Sequence, residues 1–313
     1  MNAMTPTEGI FERRITYPDF SARDRLSRLV GLDDQKTRLT KVLSLLVNPG
    51  GLDAWAKQYH PQMKSLLTTV LRRPPLVVLA GDVGSGKTEL AETIGDAVAR
   101  QEDIEITLLP LSLSARGQGR VGEMTQLITS AFDYAISEAS KLKGASGRAR
   151  GGIILLVDEA DALAQSRENA QMHHEDRAGV NAFIRGIDRI ANAALPAAVI
   201  MCTNRLSALD PAVKRRAADI LAFGRPNTEQ RRSLLTTALS ELAFSPGDIE
   251  KLVTATGARK DSPLGFTFSD IVQRLLPSIV LDAYPRNPVK PARAVEIAMQ
   301  MAATPPFQDG AVS

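Results

Sequence analysis

The chain has 313 residues, 44% of them hydrophobic and 23% charged, and this composition excludes a disordered or collagen-like protein. Lysine and arginine total 38 against 35 acidic residues, so the net charge of +3 gives no support for nucleic-acid binding. Aromatic residues make up only 4%, which argues against a base-stacking surface. The single cysteine, Cys202, excludes an internal disulfide and a multi-cysteine zinc site.

The N-terminal part of the chain lacks the pattern of a regular element. Residues 1–28 are polar and include Pro6, Gly9 and Pro18, so we predict a loose tail or an arm that docks on a neighbour. These residues contain no apolar signal region, and no apolar stretch of about 18 residues follows, so we expect a cytoplasmic protein without membrane spans. Helical spacing of apolar residues then predicts helices over 33–47 and 63–71.

The middle of the chain alternates short apolar runs with helical patterns. The runs predict strands buried on both faces of a sheet, at 76–80, 153–157 and 198–202, and a further strand is predicted at 105–109. Helical spacing appears between them, at 89–100, 122–142 and 180–190. This alternation predicts an α/β domain over residues 29–225, with a doubly wound parallel sheet. From 226 to 313 only helical patterns occur, so we predict a small all-helical lid domain with a loose C-terminal end.

A glycine-rich segment directly follows the first apolar run. Gly81–Thr88 reads GDVGSGKT and fits the phosphate-loop pattern G-x-x-x-x-G-K-[ST], in the strand–loop–helix context that this pattern requires. Backbone N–H groups of such a loop cradle phosphates, Lys87 faces the β- and γ-phosphates, and Thr88 offers a hydroxyl to Mg²⁺. We therefore predict ATP and Mg²⁺ binding, with nucleotide contacts from Gly81, Asp82, Val83, Gly84, Ser85, Gly86, Lys87, Thr88 and Glu89.

Polar residues follow two other predicted strands. Asp158 and Glu159 end the 153–157 run, where Asp158 would hold Mg²⁺ through water and Glu159 would polarise the attacking water. Asn204 ends the next strand and would orient that water, because ligands of open α/β sheets bind at the carboxyl ends of the strands. Arg215 and Arg216 lie far in sequence from the phosphate loop and suit a neighbouring subunit's phosphate.

Together, these motifs resemble those of the AAA+ ATPases, over residues ~29 to ~302. The resemblance implies that Val30 and Gly31 contact adenine and that residues 265–271 form the second sensor region of the lid. The segments around 158–161 and 180–190 are similar to the pachytene-checkpoint type, which remodels HORMA-domain proteins. This implies a homohexamer that threads a HORMA-domain protein, possibly bound to a cyclic-oligonucleotide synthase, in bacterial antiphage signalling.

The sequence departs from the family pattern in the pore loop and in the lid. Arg120, followed by Val121, stands where the family usually has an aromatic residue that grips the substrate. The lid sensor arginine is absent from its usual place, which Ser269 or Asp270 occupies. Two other functions fit parts of the sequence: a nucleic-acid motor or loader that uses Lys141, Lys143, Arg148 and Arg150, and a scaffold that does not hydrolyse ATP. Lys87, Asp158 and Glu159 argue against the scaffold.

Overall fold

The computed structural model describes residues 10–112, 122–144, 148–161, 174–207, 209–260 and 262–306, with side chains of 174–176 left out. The chain divides into two compact units. The first contains Met1–Ser27, Asp34–Ala80 and Thr88–Leu221, and the second contains Arg28–Asp33, Gly81–Lys87 and Ala222–Ser313. The phosphate loop and residues 28–33 therefore belong to the C-terminal unit. The predicted boundaries at 29 and 225 instead assigned the phosphate loop to the α/β domain.

The described strands form one six-stranded sheet in the order β1-β3-β4-β5-β2-β6. Their bounds are β1 Ile15–Tyr17, β2 Leu76–Gly81, β3 Glu105–Ser112, β4 Gly151–Asp158, β5 Ala197–Thr203 and β6 Ala217–Phe223. The pairs β3–β4, β4–β5 and β5–β2 are parallel, and β1 runs antiparallel to β3. The predicted α/β class is confirmed, and the sheet, predicted to be parallel, is mostly parallel but mixed, because β1 at its edge runs antiparallel.

The helices of the first unit precede, connect or follow these strands. They are α1 Phe20–Ser27, α2 Asp33–Val47, α3 Pro49–Tyr59, α4 Ser65–Leu71, α5 Lys87–Glu102, α6 Glu123–Leu142, α7 His174–Asn192 and the short α8 Pro211–Lys214. The central strands are buried along almost their whole length, as predicted from their unbroken apolar runs. Each fully buried Val, Leu or Ile stabilises the fold by about 1.5–3 kcal/mol. Cys202 is part of this core and is buried.

The second unit is helical after residue 226, as predicted. Its helices are α9 Thr228–Ala238, α10 Pro246–Ala255, α11 Leu276–Ala283 and α12 Pro291–Gln300, with a π-helical turn at Asp270–Leu275 before α11. Capping boxes begin two of these helices, formed by Asn227 with Gln230 and by Ser245 with Asp248. The apolar core of this unit includes Leu235, Leu252, Phe266 and Leu275.

Residues 1–28, predicted as a loose tail or a docking arm, contain the two regular elements β1 and α1. Tyr17 at the end of β1 is fully buried, and its hydroxyl donates a hydrogen bond to the Glu92 carbonyl of α5. A Cβ at Gly95 would lie 2.4 Å from the Tyr17 ring, so this glycine makes room for the aromatic side chain. A strand of three residues is too short to give a periodic signal, which explains why it escaped prediction.

Two more elements were missed for local reasons. Asn48–Gly51 ends α2 as predicted, but Pro49 also begins α3, because proline fits the first position of a helix. The strand β6 is mostly half-buried and has no continuous apolar run, so it was not recognised. Among the described residues, no helix is both long enough and apolar enough to cross a bilayer.

Candidate nucleotide-hydrolysis site

The phosphate loop connects β2 to α5 and requires glycine at particular positions. Gly81 has φ +150° and Gly84 has φ +70°, conformations that side-chain-bearing residues rarely adopt. A Cβ at Gly81 would lie 1.8 Å from the carbonyl oxygen of Phe223, and one at Gly84 would lie 2.8 Å from the Ser269 Cβ. The loop backbone therefore packs directly against Phe223 and Ser269, two residues of the lid unit.

Lys87 lies within the loop with its charge directed at main-chain oxygens. Its side chain is nearly buried, and Nζ donates hydrogen bonds to the carbonyls of Gly81 at 2.9 Å and Asp82 at 2.7 Å. Ser85 stabilises the bend of the loop, since its hydroxyl donates to the Asp82 carbonyl at 2.7 Å. Lys87 begins α5, so an anion placed here meets both an ammonium group and a helix N-terminus, which suits phosphate.

The residues predicted to contact adenine lie in the same unit as the loop. Val30 packs against the apolar core of the lid, and Gly31 has φ +77°. Gln230 of α9 donates a hydrogen bond from Nε2 to the Gly31 carbonyl at 2.6 Å, and its side chain fills the space where a Gly31 Cβ would stand. Residues 30–31 are thus fixed to the first lid helix, and their contact with adenine stays a prediction.

Two oxygen donors for a divalent cation stand together at the end of β4. The Thr88 hydroxyl lies 3.3 Å from Asp158 Oδ1. Burial raises the pKa of Asp158, with smaller increases from the Glu159 and Glu92 charges, and hydrogen bonds from the Glu159 N–H and Thr88 oppose the rise. A half-buried carboxylate beside a hydroxyl gains from a bound cation, and Mg²⁺ prefers oxygen ligands. The donor set therefore fits Mg²⁺.

Glu159 follows this carboxylate in an unusual backbone conformation. Its φ is +50°, which costs about 1 kcal/mol for a residue with a Cβ, and its side chain is exposed. The neighbouring amides hold the turn, because Glu159 N–H donates to Asp158 Oδ1 at 2.9 Å and Ala160 N–H donates to the Cys202 carbonyl at 3.0 Å. The turn places the Glu159 carboxylate just beyond the carboxyl end of β4, where a general base would act.

Asn204 at the end of β5 is held by a residue that sequence reasoning did not assign a role. Asp161 accepts hydrogen bonds from the Asn204 backbone N–H at 2.8 Å, from its Nδ2 at 3.2 Å and from the Thr203 hydroxyl at 2.7 Å. Since β5 lies between β4 and β2, Asn204 leaves the strand between the carboxylate strand and the strand that enters the phosphate loop. Asp161 is visible in the sequence only as the last residue of the segment 158–161.

The predicted arginine pair lies just after α8, and its two members have different surroundings. Arg215 is exposed. Arg216 donates two hydrogen bonds to Asp188 of α7, at 2.7 and 3.0 Å, and this pairing raises the pKa of Arg216. Arg216 is thus oriented by its own subunit.

Glu89, which was predicted to contact nucleotide, has its carboxylate engaged by the N-terminal part of the chain. Arg25 of α1 donates to both Glu89 oxygens at 2.7 Å and to Glu92 at 2.8 Å. These hydrogen bonds orient the Glu89 side chain toward α1, so its predicted nucleotide contact gains no support from the side chain.

Two other sequence predictions concern loops and basic residues. Arg120 and Val121 of the predicted pore loop lie outside the described residues. The basic residues of the alternative nucleic-acid surface are engaged within the chain: Lys143 donates to the Ala193 carbonyl and Arg150 to the Lys141 carbonyl.

Comparisons with known proteins agree with this geometry. The ATPase family associated with various cellular activities (AAA) matches residues 77–225. CD-NTase-associated protein 6 of Escherichia coli (strain MS 115-1) is 66% identical over 309 residues, 99% of either chain. A chain of the solved E. coli MS115-1 HORMA:CdnC:Trip13 complex is 67% identical, with a TM-score of 0.87 over 95% of this chain and 97% of that one. Rhizobiales Trip13 is 58% identical, with a TM-score of 0.75 over 95% of this chain and 100% of that one.

The lysine-bearing phosphate loop and the acids after β4 are sequence motifs expected of this family. The resemblance inferred from the motifs is therefore confirmed by the matching family and by relatives that align with nearly the whole chain. The chain belongs to the AAA ATPase family, in the group of CD-NTase-associated protein 6, and is an ATPase.

Proposed function

We propose that the chain is one subunit of a homohexamer that uses ATP hydrolysis to disassemble or inactivate a complex containing a HORMA-domain protein and a cyclic-oligonucleotide synthase. One observation carries the proposal: the chain matches, over 95% of its length, a chain of the solved HORMA:CdnC:Trip13 complex. A near full-length likeness at 67% identity supports the same partners. Regulation of a cyclic-oligonucleotide antiphage signal would follow from removing the HORMA-domain protein from its synthase.

For hydrolysis itself, the residues divide into binding and activating groups. Lys87 would exchange its bonds to the Gly81 and Asp82 carbonyls for bonds to the phosphates of ATP. Thr88 and Asp158 would hold Mg²⁺, which supplies positive charge to the phosphate oxygens when bound. Glu159 would take the proton of the attacking water, and Asn204, fixed by Asp161, would orient that water.

The proposed remodelling is tested with a preformed complex of the HORMA-domain protein and the synthase, by adding ATPase and ATP and following release by size exclusion. The unmodified chain is expected to release the HORMA-domain protein. Glu159→Gln keeps the shape of the side chain but loses its basicity, so it should bind ATP, hydrolyse it about 10²-fold more slowly and release little. The matched control is Glu241→Gln, at an exposed glutamate of the lid unit.

The outcomes separate the parts of the proposal. Normal turnover by Glu159→Gln would overturn the general-base assignment. Rapid ATP hydrolysis without release from the complex, combined with DNA unwinding or loading, would instead support the nucleic-acid motor. Arg120→Ala is expected to slow release more than hydrolysis, because six copies of a pore loop would act on one substrate chain; equal release by this variant removes the loop from the proposal.

Assembly is tested through the arginine pair. If Arg216, helped by Arg215, completes a neighbour's site, Arg216→Ala should bind ATP without hydrolysing it. Mixing it with Lys87→Ala subunits should restore some activity, because some interfaces then pair an intact Lys87 with an intact Arg216. Arg189→Ala is the control, since Arg189 also pairs with an aspartate of its own subunit, Asp133. Full activity of a dilute monomer would contradict the hexamer.

A further inference from the structure

Arg225, at the start of the lid unit, makes three hydrogen bonds to three separate parts of that unit. Its Nε donates to the Asp82 carboxylate at 2.8 Å, its NH1 to the Gly265 carbonyl at 2.6 Å, and its NH2 to the Thr304 carbonyl at 2.7 Å. Arg225 and Asp82 are only 15% and 23% exposed. A planar guanidinium that satisfies three acceptors at once holds all of them in one geometry, which a lysine could not do.

Asp82, the acid that pairs with Arg225, is an unusual residue to find in a phosphate-binding loop. Asp82 is the second residue of the phosphate loop, so its carboxylate brings negative charge into a segment built to receive phosphate. Like charges in a partly buried place repel more strongly than at an open surface. The ion pair with Arg225 neutralises this charge, and the Asp82 N–H, donating to the Phe223 carbonyl at 3.1 Å, fixes the backbone of the same residue.

Gly265 and Thr304, whose carbonyls accept from Arg225, lie in segments that make further contacts with the loop and within the lid. Gly265 opens the segment that leads to Ser269, whose N–H donates to the Gly84 carbonyl of the phosphate loop at 3.0 Å. Thr304 donates from its N–H and its hydroxyl to the buried carboxylate of Asp270, at 3.0 and 2.6 Å. Arg225 therefore stands where the first half of the loop, the sensor segment and the C-terminal segment meet.

We propose that Arg225 is a positioning residue for the nucleotide: it neutralises Asp82 and holds the first half of the phosphate loop in its binding curvature. The inference rests on the proposed binding of nucleotide by this loop. Arg225 also links the sensor segment to the loop, through its hydrogen bonds to the Gly265 carbonyl and the Asp82 carboxylate. Arg225 acts through Asp82 and the backbone and needs no contact with ATP.

The test compares Arg225→Ala, Arg225→Lys and the double variant Arg225→Ala/Asp82→Ala. The measurements are the equilibrium affinity and the dissociation rate of fluorescent ADP by stopped flow, with kcat and KM for ATP. Arg225→Ala should weaken ADP binding about tenfold, the scale of a hydrogen bond between charged groups, chiefly through faster dissociation and with a larger change in KM than in kcat. Arg225→Lys should be intermediate.

The double variant separates positioning from a purely structural role. If the unpaired Asp82 charge causes the loss, removing it should recover at least threefold of the affinity, whereas simple loss of packing would make the double variant as weak as the single one or weaker. Arg232→Ala is the matched control, because Arg232 also pairs with acids of the lid, Glu229 and Glu250. Should Arg225→Ala fail to fold, the Lys variant and the double variant carry the comparison.

Lys87→Ala distinguishes this inference from the proposed function. If Lys87→Ala loses ADP binding while Arg225→Ala stays within twofold of the unmodified chain, the positioning role is overturned and the loop remains the nucleotide site. A double variant as weak as Arg225→Ala overturns the role of charge neutralisation in the same way. If Lys87→Ala binds ADP normally, the proposed binding of nucleotide by the phosphate loop is itself contradicted.

Discussion

Two arginines from distant parts of the chain pair with acids of the phosphate-binding segment, but they are held very differently. Arg25 is 36% exposed and reaches Glu89 and Glu92 of α5. Arg225 is 15% exposed and adds two backbone carbonyls to its pairing with Asp82. Ion pairs contribute less to stability as they become more exposed, whereas a half-buried guanidinium with three fixed acceptors determines geometry. We therefore expect the N-terminal attachment to depend mainly on something other than its charges.

That other contribution is Tyr17, and its removal has the largest expected effect. Tyr17→Ala leaves a cavity beside Gly95 and loses the hydrogen bond to the Glu92 carbonyl. We expect a loss of about 3–5 kcal/mol in the free energy of unfolding, as for other buried aromatics, measured by urea titration. Tyr17→Phe should cost only about 1 kcal/mol, because it removes the hydrogen bond alone. A loss below about 1 kcal/mol for Tyr17→Ala would mean that the charges hold this segment after all.

The lid has its own buried anchor, Asp270, with the next largest expected effect. Its carboxylate accepts hydrogen bonds from Thr267 N–H, Arg274 and Thr304. Asp270→Asn points an amide donor at these donors and should cost about 2 kcal/mol in the free energy of unfolding. Thermal melts of Asp270→Asn and Tyr17→Ala then show whether the lid tolerates the loss of its anchor better than the N-terminal segment does.

Asp270 also predicts a dependence of stability on pH. Burial alone would raise its pKa, but the hydrogen bonds from Thr304, Thr267 and Arg274 outweigh burial and lower it. A carboxyl whose folded pKa is depressed contributes stability that is full above its unfolded pKa of about 3.9 and is lost as the pH falls through the folded value. Asp270→Asn should remove that part of the acid destabilisation. An unchanged slope of stability against pH below 4 would contradict the assigned hydrogen bonds.

Arg25 gives the smallest expected effect and sharpens the contrast with Arg225. Arg25→Gln keeps much of the side chain but leaves Glu89 and Glu92 without this partner, and we expect a loss below about 1 kcal/mol that shrinks at high salt. Urea titrations at low and high ionic strength measure it. A loss that is larger than that of Tyr17→Phe and independent of salt would show that exposure is a poor guide to the strength of this pairing.

The sequence predicts well those features that lie within one continuous stretch. The phosphate loop, the acids after β4 and the lid helices each occupy such a stretch, in which spacing and apolar runs carry the signal. Contacts between distant stretches leave no such signal: Asp161 holding Asn204, Arg225 holding Asp82 and Tyr17 against Gly95 all join residues more than 40 positions apart. Short or half-buried strands such as β1 and β6 fail for another reason, because their patterns are too brief or too mixed to read.

The left-handed backbone at Glu159 has a consequence for selection and engineering. Glycine or asparagine would occupy φ +50° with less strain than glutamate does, so either replacement should raise the melting temperature while removing the proposed base. A screen that rewards heat resistance alone would thus favour inert proteins at this position. Retaining glutamate there costs about 1 kcal/mol of stability, a cost that the proposed role of Glu159 in turnover would explain.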